Sequence, residues 1–513
     1  MKNKKNIPMA IILIIILLIV VVAIPNSNAT KSSNTVIESL DQLSEQTIGV
    51  QTGTAYEEVF ADDYPDINIK FFSSFSDQII NLEQGKIDGY VSESVSFASD
   101  HFYHPWLQQA EGSLAKIDFA WGIGNNDRAE IILSQLNSFI YESKQNGFFD
   151  EMWDYWLANY SPDHTIQNEY VFSGENGVLS IALEAGYEPF SYISNGELAG
   201  YDVELMYKFC QEYGYTPKIY EISFDAISPG IETGKYDIGC NLVLTDERTD
   251  GFTFSDPYIV SELLIISGEN NENANPIDAL RNSFYKTFIK ENRWKMFAEG
   301  IIRTLIITIA SIIIGTVLGF LVYLVCKDGN GFYKQMADFI SWLVHGTPTV
   351  VFLMILYYVI FGNSNIDGMY VSIIAFSVLF TCSMYDMIAN GCTAIGKEQY
   401  EAARSLGYSS NQAFFKVIFP QSAMHFLPIY KGEIVSLIKE TSVVGYIAVQ
   451  DLTKMSDLVR ARTFEALFPL IFTAIIYFIL ATILTSIVKR FEFSINPKRR
   501  KNIKMLSGVK LRE

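Results

Sequence analysis

"KEQYEAARSLGYSSNQAFFKVIFPQS", residues Lys397–Ser422, stands between long apolar runs and yet carries charges, amides and a helix-stopping glycine. Lys397 to Leu406 reads as a short helix, Gly407 as its left-handed stop, and Ser409 with Gln412 as a capping box that starts a second helix. Apolar runs near Ile301–Cys326, Phe339–Phe361, Tyr370–Ala389, Phe426–Tyr446 and Leu467–Val488 each approach the length a helix needs to cross hydrocarbon. The polar stretch is therefore a loop at the membrane face. Two short helices there suit a docking knob for a partner, or an amphipathic interfacial loop.

The chain of 513 residues is too long for one ordinary domain, and its 49% apolar content is uneven, so its domains occupy different solvents. Residues 31–280 hold roughly 42 acids against about 10 bases, while the remainder has a modest surplus of Lys and Arg. Nucleic-acid binding by so acidic a half is excluded. By the positive-inside rule, "MKNKKN" at the start and "KRFEFSINPKRRKNIK" from Lys489 stay in the cytoplasm while the acidic half is exported. Met9–Ile24 is then a membrane anchor within residues 1–30, preferred uncleaved, although "SNA" at Ser27–Ala29 suits a signal peptidase. Counting crossings puts Lys327–Gln335 inside, Gly362–Gly368 outside, the polar stretch inside, and a basic tail, 493–513, inside. Lys286, Lys290, Arg293 and Lys295 fall outside, against the rule, which long exported domains evade. The run Phe426–Tyr446 contains Lys431, Glu433, Lys439 and Glu440, so that helix must face protein or a polar pathway.

Five cysteines, at 210, 240, 326, 382 and 392, show neither zinc-site spacing nor a disulfide framework, and Cys210 and Cys240 read as two buried thiols in preference to a bond. No G-x-x-x-x-G-K-[ST] stretch occurs, so an ATP-hydrolysing loop belongs to another polypeptide. No Ser-His-Asp or Cys-His set is convincing either, so the residues give no support to covalent chemistry.

Glu401, Ala402, Ala403 and Gly407, followed by Val417 and Pro420, resemble the EAA loop of ABC-transporter permeases, over residues 397–420, where this segment couples to the ATPase subunit. "HGTPTVVFLMILYYVIFG" from His345 and "LIKETSVVGYIAVQDL" from Leu437 resemble further blocks of the polar amino-acid permeases, with His345 replacing the usual arginine and Val417 the usual isoleucine. The resemblance implies a permease domain over 296–492, working as a dimer, here a homodimer by preference over pairing with a sister subunit, with two ABC ATPase subunits that bind the ATP. No cofactor is expected on this chain itself.

In the exported half, Gly177–Gly268 alternates strand-like "VLSIAL" and "TPKIYEI" with helix-like "DVELMYKFCQEYG", which indicates an α/β lobe with a parallel sheet. An amino acid presents a carboxylate and an ammonium, and a specific site needs a guanidinium and an acid to meet them. Arg248, in "NLVLTDERTDGFTFSDPY", reads on its own as a surface ion-pair partner. "YEPFSYISNGELAGYDVEL", "SFDAISPGIETGKYDI" and "LTDERTDGFTFSDPY" resemble the first lobe of family 3 amino-acid-binding proteins. There the counterpart of Arg248 holds the ligand carboxylate and those of Tyr187 and Phe224 pack on its side chain. By the same match Asn241 and Glu184 belong to the ligand set, Glu184 as a reader of the side chain, and Val243 replaces a common hydroxyl residue. "LDQLSEQTIGVQTGTAYEEV", "INLEQGKIDGYVSES" and "GFFDEMWDYWLANY", within residues 31–165, resemble the second lobe and closing helices of that family. Glu93 stands at the acid position for the ligand ammonium; Thr54, Gln51 and Ser92 also stand at ligand positions.

The usual lobe order is thus reversed, which reads either as two truncated domains or, by preference, as one circularly permuted domain comprising 31–165 and 177–268. "ENNENANP" from Glu269 opens a linker, 269–295, expected to be a flexible tether. The fold expected is a helical membrane permease of about five spans, an exported two-lobed α/β domain like the periplasmic binding proteins, and an N-terminal anchor in a multi-pass plasma-membrane chain. The function expected is ATP-driven amino-acid import, for glutamine or another polar amino acid. A ligand-gated channel or a signalling receptor with an amino-acid-binding ectodomain is the alternative; no TVGYG-like filter supports a channel.

Overall fold

The computed structural model describes residues 36–56, 64, 66–249, 251–269, 276–327, 331–362, 364 and 366–495. The expected anchor, most of the basic tail and residues 270–275 of the tether lie outside the described residues. The chain forms two compact units, one from Met1–Lys295 with Asp457–Pro469, the other from Met296–Ser456 with Leu470–Glu513.

The first unit is built on one ten-stranded sheet. Its strands are β1 (Thr47–Gln51), β2 (Asn68–Phe72), β3 (Gly89–Glu93), β4 (Leu107–Gln109), β5 (Ala115–Ile123) and β6 (Val178–Leu183), followed after a small separate sheet by the rest. The small sheet comprises β7 (Gly186–Tyr187), β8 (Ser191–Ser194) and β9 (Glu197–Ala199). The large one resumes with β10 (Thr216–Glu221), β11 (Ile238–Val243), β12 (Thr253–Phe254) and β13 (Ile259–Gly268). Its two ends repeat one pattern: β1 lies parallel between β2 and β3, and β6 lies parallel between β10 and β11. Strands β3 and β11, each parallel to one neighbour and antiparallel to the other, are buried along their whole length, as interior strands covered on both faces are.

Each lobe is closed by a strand that starts in the other. β5 pairs with β13 through Ala115–Phe119 and then with β11; β13 pairs with β5 through Ile259–Leu263 and then with β3. The two sequence segments, upstream and downstream of residue 165, therefore complete a single sheet.

From Pro276 the expected linker is helical, through Pro276–Phe284 and a wider turn, Tyr285–Ile289. Phe284 and Phe288, four residues apart, have ring centres 5.0 Å apart, and Phe288 is buried. This apolar pair anchors the later part of the expected linker, while the polar run that suggests a tether falls at 270–275, outside the described residues.

In the second unit, Trp294–Lys327, Gly368–Thr393 and Leu467–Arg490 are long and apolar enough to cross a membrane. The middle one is the most buried, 67% of its apolar window against 28% and 22%. Gly319 lets it come close, since a Cβ there would stand 2.6 Å from the Thr381 carbonyl. The expected span Phe339–Phe361 is not one helix: Gly331–Gly346 and Thr349–Ile360 meet at 108°. Pro348 lacks an N–H and disfavours the helical conformation at Thr347, which breaks the run there. The expected loop Lys327–Gln335 is also shortened, because helix begins at Gly331. The fourth expected span, Phe426–Tyr446, is α-helical only to Glu440, within Phe419–Glu440, and continues as a tighter 3-10 turn, Thr441–Ile447; its charges set it apart from the apolar helices.

Candidate functional site

The strand ends of the first unit bring the expected ligand residues towards one cleft, where the carboxyl ends of parallel strands converge. One lobe supplies Glu184 after β6, Tyr187 in β7, Phe224 after β10 and Arg248 in the turn Asp246–Thr249. The other supplies Gln51 at the end of β1, Thr54 just beyond it, and Glu93 at the end of β3. Hydrogen bonds among the described residues join the lobes: Gln51 Nε2 donates to Glu184 Oε2 at 3.0 Å, Arg248 Nη2 to the Gly53 carbonyl at 2.6 Å, and Ser99 Oγ to the Glu188 carbonyl at 3.2 Å. Arg248 Nη1 also donates to the Val243 carbonyl at 3.1 Å. Gly53 has φ +84°, and a Cβ there would stand 2.9 Å from Asp225 Cα, so backbone meets backbone across the cleft. Thr54 is turned back, its Oγ1 donating to the Gln51 carbonyl at 2.7 Å. Phe224 is buried, and Tyr187 stacks on Phe190 at 5.2 Å.

Glu93 is fully buried, and among the described residues neither of its oxygens has a hydrogen-bond partner. The hydroxyls of Tyr187 and Ser96 are buried and unpartnered as well. Burial pushes the Glu93 carboxyl up, against the lowering influence of those two hydroxyls, and burial together with the Glu93 charge raises Tyr187. A carboxylate so placed is costly until a cation meets it.

Two expected ligand residues are committed elsewhere. Ser92 Oγ donates to Asp100 Oδ2 at 3.4 Å. Asn241, with φ +62°, donates from Nδ2 to Asp202 Oδ2 at 2.7 Å and accepts from Ser191 Oγ at 3.1 Å. Both side chains serve the core of a lobe, which position along a strand does not reveal. Phe75 was missed: its ring meets Tyr187 edge-on, 6.4 Å away, from the opposite lobe. Its place in the helix Phe75–Glu83 gave no signal of that contact.

The polar stretch of the second unit folds as its residues dictate. Helix Lys397–Ser405 ends at Gly407, φ +83°, where the Tyr408 N–H donates to the Ala403 carbonyl and the Gly407 N–H to that of Arg404. Ser409 and Gln412 form the reciprocal capping box. Ala403 is buried, whereas Glu401, Ala402 and Gly407 are exposed and Leu406 is 80% exposed.

The chain is 34% identical over 200 residues to the arginine transport system permease protein ArtQ of Bacillus subtilis, which covers 38% of this chain and 90% of that protein. It belongs to the amino-acid ABC permease family. A Rickettsia conorii protein with the provisional name of glutamine transport system permease protein GlnP is 29% identical over 199 residues, 38% of this permease and 90% of its own length. Residues 179–433 match the bacterial extracellular solute-binding proteins, family 3. This permease is thus fused to a binding domain, and amino-acid transport is what its relatives are named for. Among solved structures, an amino acid ABC transporter with histidines covers 44% of this permease and 100% of its own chain, at 25% identity and a TM-score of 0.37.

The permease unit also holds a polar cavity of about 130 Å³, bordered by His345, Thr349, Ser383, Glu433 and Glu440. His345 Nε2 lies 3.0 Å from Ser383 Oγ. Glu433 and Glu440 thus face a polar space, as the charges of their helix require.

Proposed function

We propose that this permease and its fused binding domain import an amino acid at the expense of ATP hydrolysed by a separate ABC ATPase chain, with the permease acting as a dimer. Its own chain needs no cofactor. The observation that carries the reading is Glu93, a buried carboxylate with no basic partner among the described residues, in a cleft whose other lobe presents Arg248. An α-amino acid has the two charges that complete this pair: its ammonium meets Glu93 and its carboxylate the guanidinium of Arg248. Tyr187 and Phe224 pack on its side chain. Gln51 and Glu184, bonded to each other across the cleft, read an amide or cationic side chain by exchanging that bond for one to the ligand. This favours glutamine or another polar amino acid.

Glu401, Ala402 and Gly407 form the surface on which the ATPase docks, with the buried Ala403 seating their helix beneath it. The 80% exposed Leu406 beside them is the apolar contact expected of such a surface. The binding domain faces the outside of the cell membrane, in keeping with its acidity. A circular permutation explains why the β1–β3 lobe precedes the β6–β11 lobe in the chain.

The test is calorimetric titration of the full chain with each common amino acid, followed by uptake in proteoliposomes containing the ATPase chain. Saturable binding of one amino acid per chain, with uptake that stops without ATP, is the result expected. Binding of none of them overturns the amino-acid reading; uptake that persists without ATP overturns the importer.

A further inference from the structure

Residues Asp457–Pro469, the end of helix Leu452–Thr463 and the turn before the last apolar helix, belong to the ligand-binding unit. Within five residues their contacts alternate between its lobes. Arg460 Nη2 pairs with Asp77 Oδ1, on the helix Phe75–Glu83 of the β1–β3 lobe. Ala461 lies against Gly186 of the other lobe, where an added Cβ would stand 3.0 Å from that of Ala461. Arg462 Nη1 reaches Glu188 Oε1 at 2.5 Å, and Glu188 also accepts from the Tyr160 hydroxyl. Phe464 returns to the first lobe, its ring 4.7 Å from that of His104 and 5.4 Å from that of Tyr103.

Arg462 is buried and fully engaged. Its Nη2 donates to the Pro162 carbonyl at 3.0 Å, its Nε lies 3.3 Å from Glu291 Oε2, and its guanidinium sits 5.2 Å over the Tyr192 ring. Gly186, Tyr187 and Glu188 are consecutive, so Ala461 and Arg462 grip both neighbours of the ring that lines the cleft.

We propose that Arg460–Phe464 is a closure strap: Arg460 and Phe464 hold one lobe, Ala461 and Arg462 the other, and all four contacts are made together only when the cleft is closed. Four residues of helix reach about 6 Å, too little to follow two lobes that swing apart on their crossing strands. This rests on the cleft being the ligand site.

The test uses the full chain assembled with its ATPase, with spin labels at Lys86→Cys and Glu197→Cys, one on each lobe. Inter-lobe distances are measured without ligand and with glutamine, arginine or cystine. Arg460→Asp is expected to lengthen and broaden the ligand-free distances and to lower uptake by about tenfold or more, because it sets two acids face to face. Adding Asp77→Arg to it should restore both. Phe464→Ala, which removes no charge, should lengthen the distances in the same direction, and it serves alone if Arg460→Asp fails to fold. Unchanged distances in these variants, or a charge swap that restores nothing, would overturn the strap. If no amino acid shortens the distances in the parent, the fault lies with the ligand reading, and the ligand-free distances still decide the strap.

Discussion

Two glutamates of the binding unit are treated in opposite ways. Glu188 has an arginine and a tyrosine on its two oxygens, both supplied by the protein. Glu93 is buried more deeply and, among the described residues, has hydroxyls beside it but no arginine or lysine. The first completes the chain's grip on itself; the second is a need left for a small cation to fill. A buried acid whose partners come from the fold rigidifies it, whereas one without them marks a site where something else must bind.

The sharpest break of that contrast is Arg248→Ala, expected to weaken amino-acid binding by on the order of 100-fold while circular dichroism of the full chain stays the same. Unchanged affinity in the calorimeter would take Arg248 out of the site. Glu93→Gln comes next: affinity should fall by about tenfold or more, yet the ligand-free protein should melt higher, because an unmet buried charge is gone. A variant that melts lower would place Glu93 with Glu188, as a structural acid.

The third test is pH. The Glu93 carboxyl is raised by burial, so the ligand-free cleft takes up a proton above the ordinary carboxylate range. An ammonium ligand favours the ionised form, so affinity is full above the raised pKa and is lost as pH falls through it. In the absence of ligand the sign is opposite: the native state binds more protons than the unfolded one between the two pKa values, so stability declines as pH rises through that window. Asp202, pushed up to about 7 by burial, adds to the same decline. Titration calorimetry at several pH values should show the loss of affinity on acidification in the parent and a flat profile in Glu93→Gln.

The smallest effect on binding is expected outside both regions. Gly407→Ala strains a left-handed position by about 1 kcal/mol, and should leave ligand affinity unchanged while uptake drops a few-fold. A matching fall in affinity would mean that the polar loop and the cleft are not separable.

Much of this was legible in the residues. The capping box at Ser409 and Gln412 and the stop at Gly407 are local chemistry, and local chemistry survives folding. Apolar length announced the spans, but Pro348 turned one of them into a bent pair, a proline rule that outranks hydropathy. In the cleft, positions were readable and directions were not: Glu93 faces an unmet need, whereas Ser92 beside it turns to Asp100. The contacts of Arg460 with Asp77 and of Arg462 with Glu188 join residues hundreds of positions apart, and neither composition nor spacing hints at them.

The strap bears on anyone who would excise the binding domain as a soluble amino-acid sensor. Cutting after Gly268 removes Arg462 from Glu188 and lifts Phe464 from Tyr103 and His104, leaving one acid without its cation and a bare aromatic face costing about 1–3 kcal/mol in water. Such a fragment would stick to its neighbours. A usable sensor has to be stitched from three pieces, with residues 276–295 and 457–469 grafted beside 36–268.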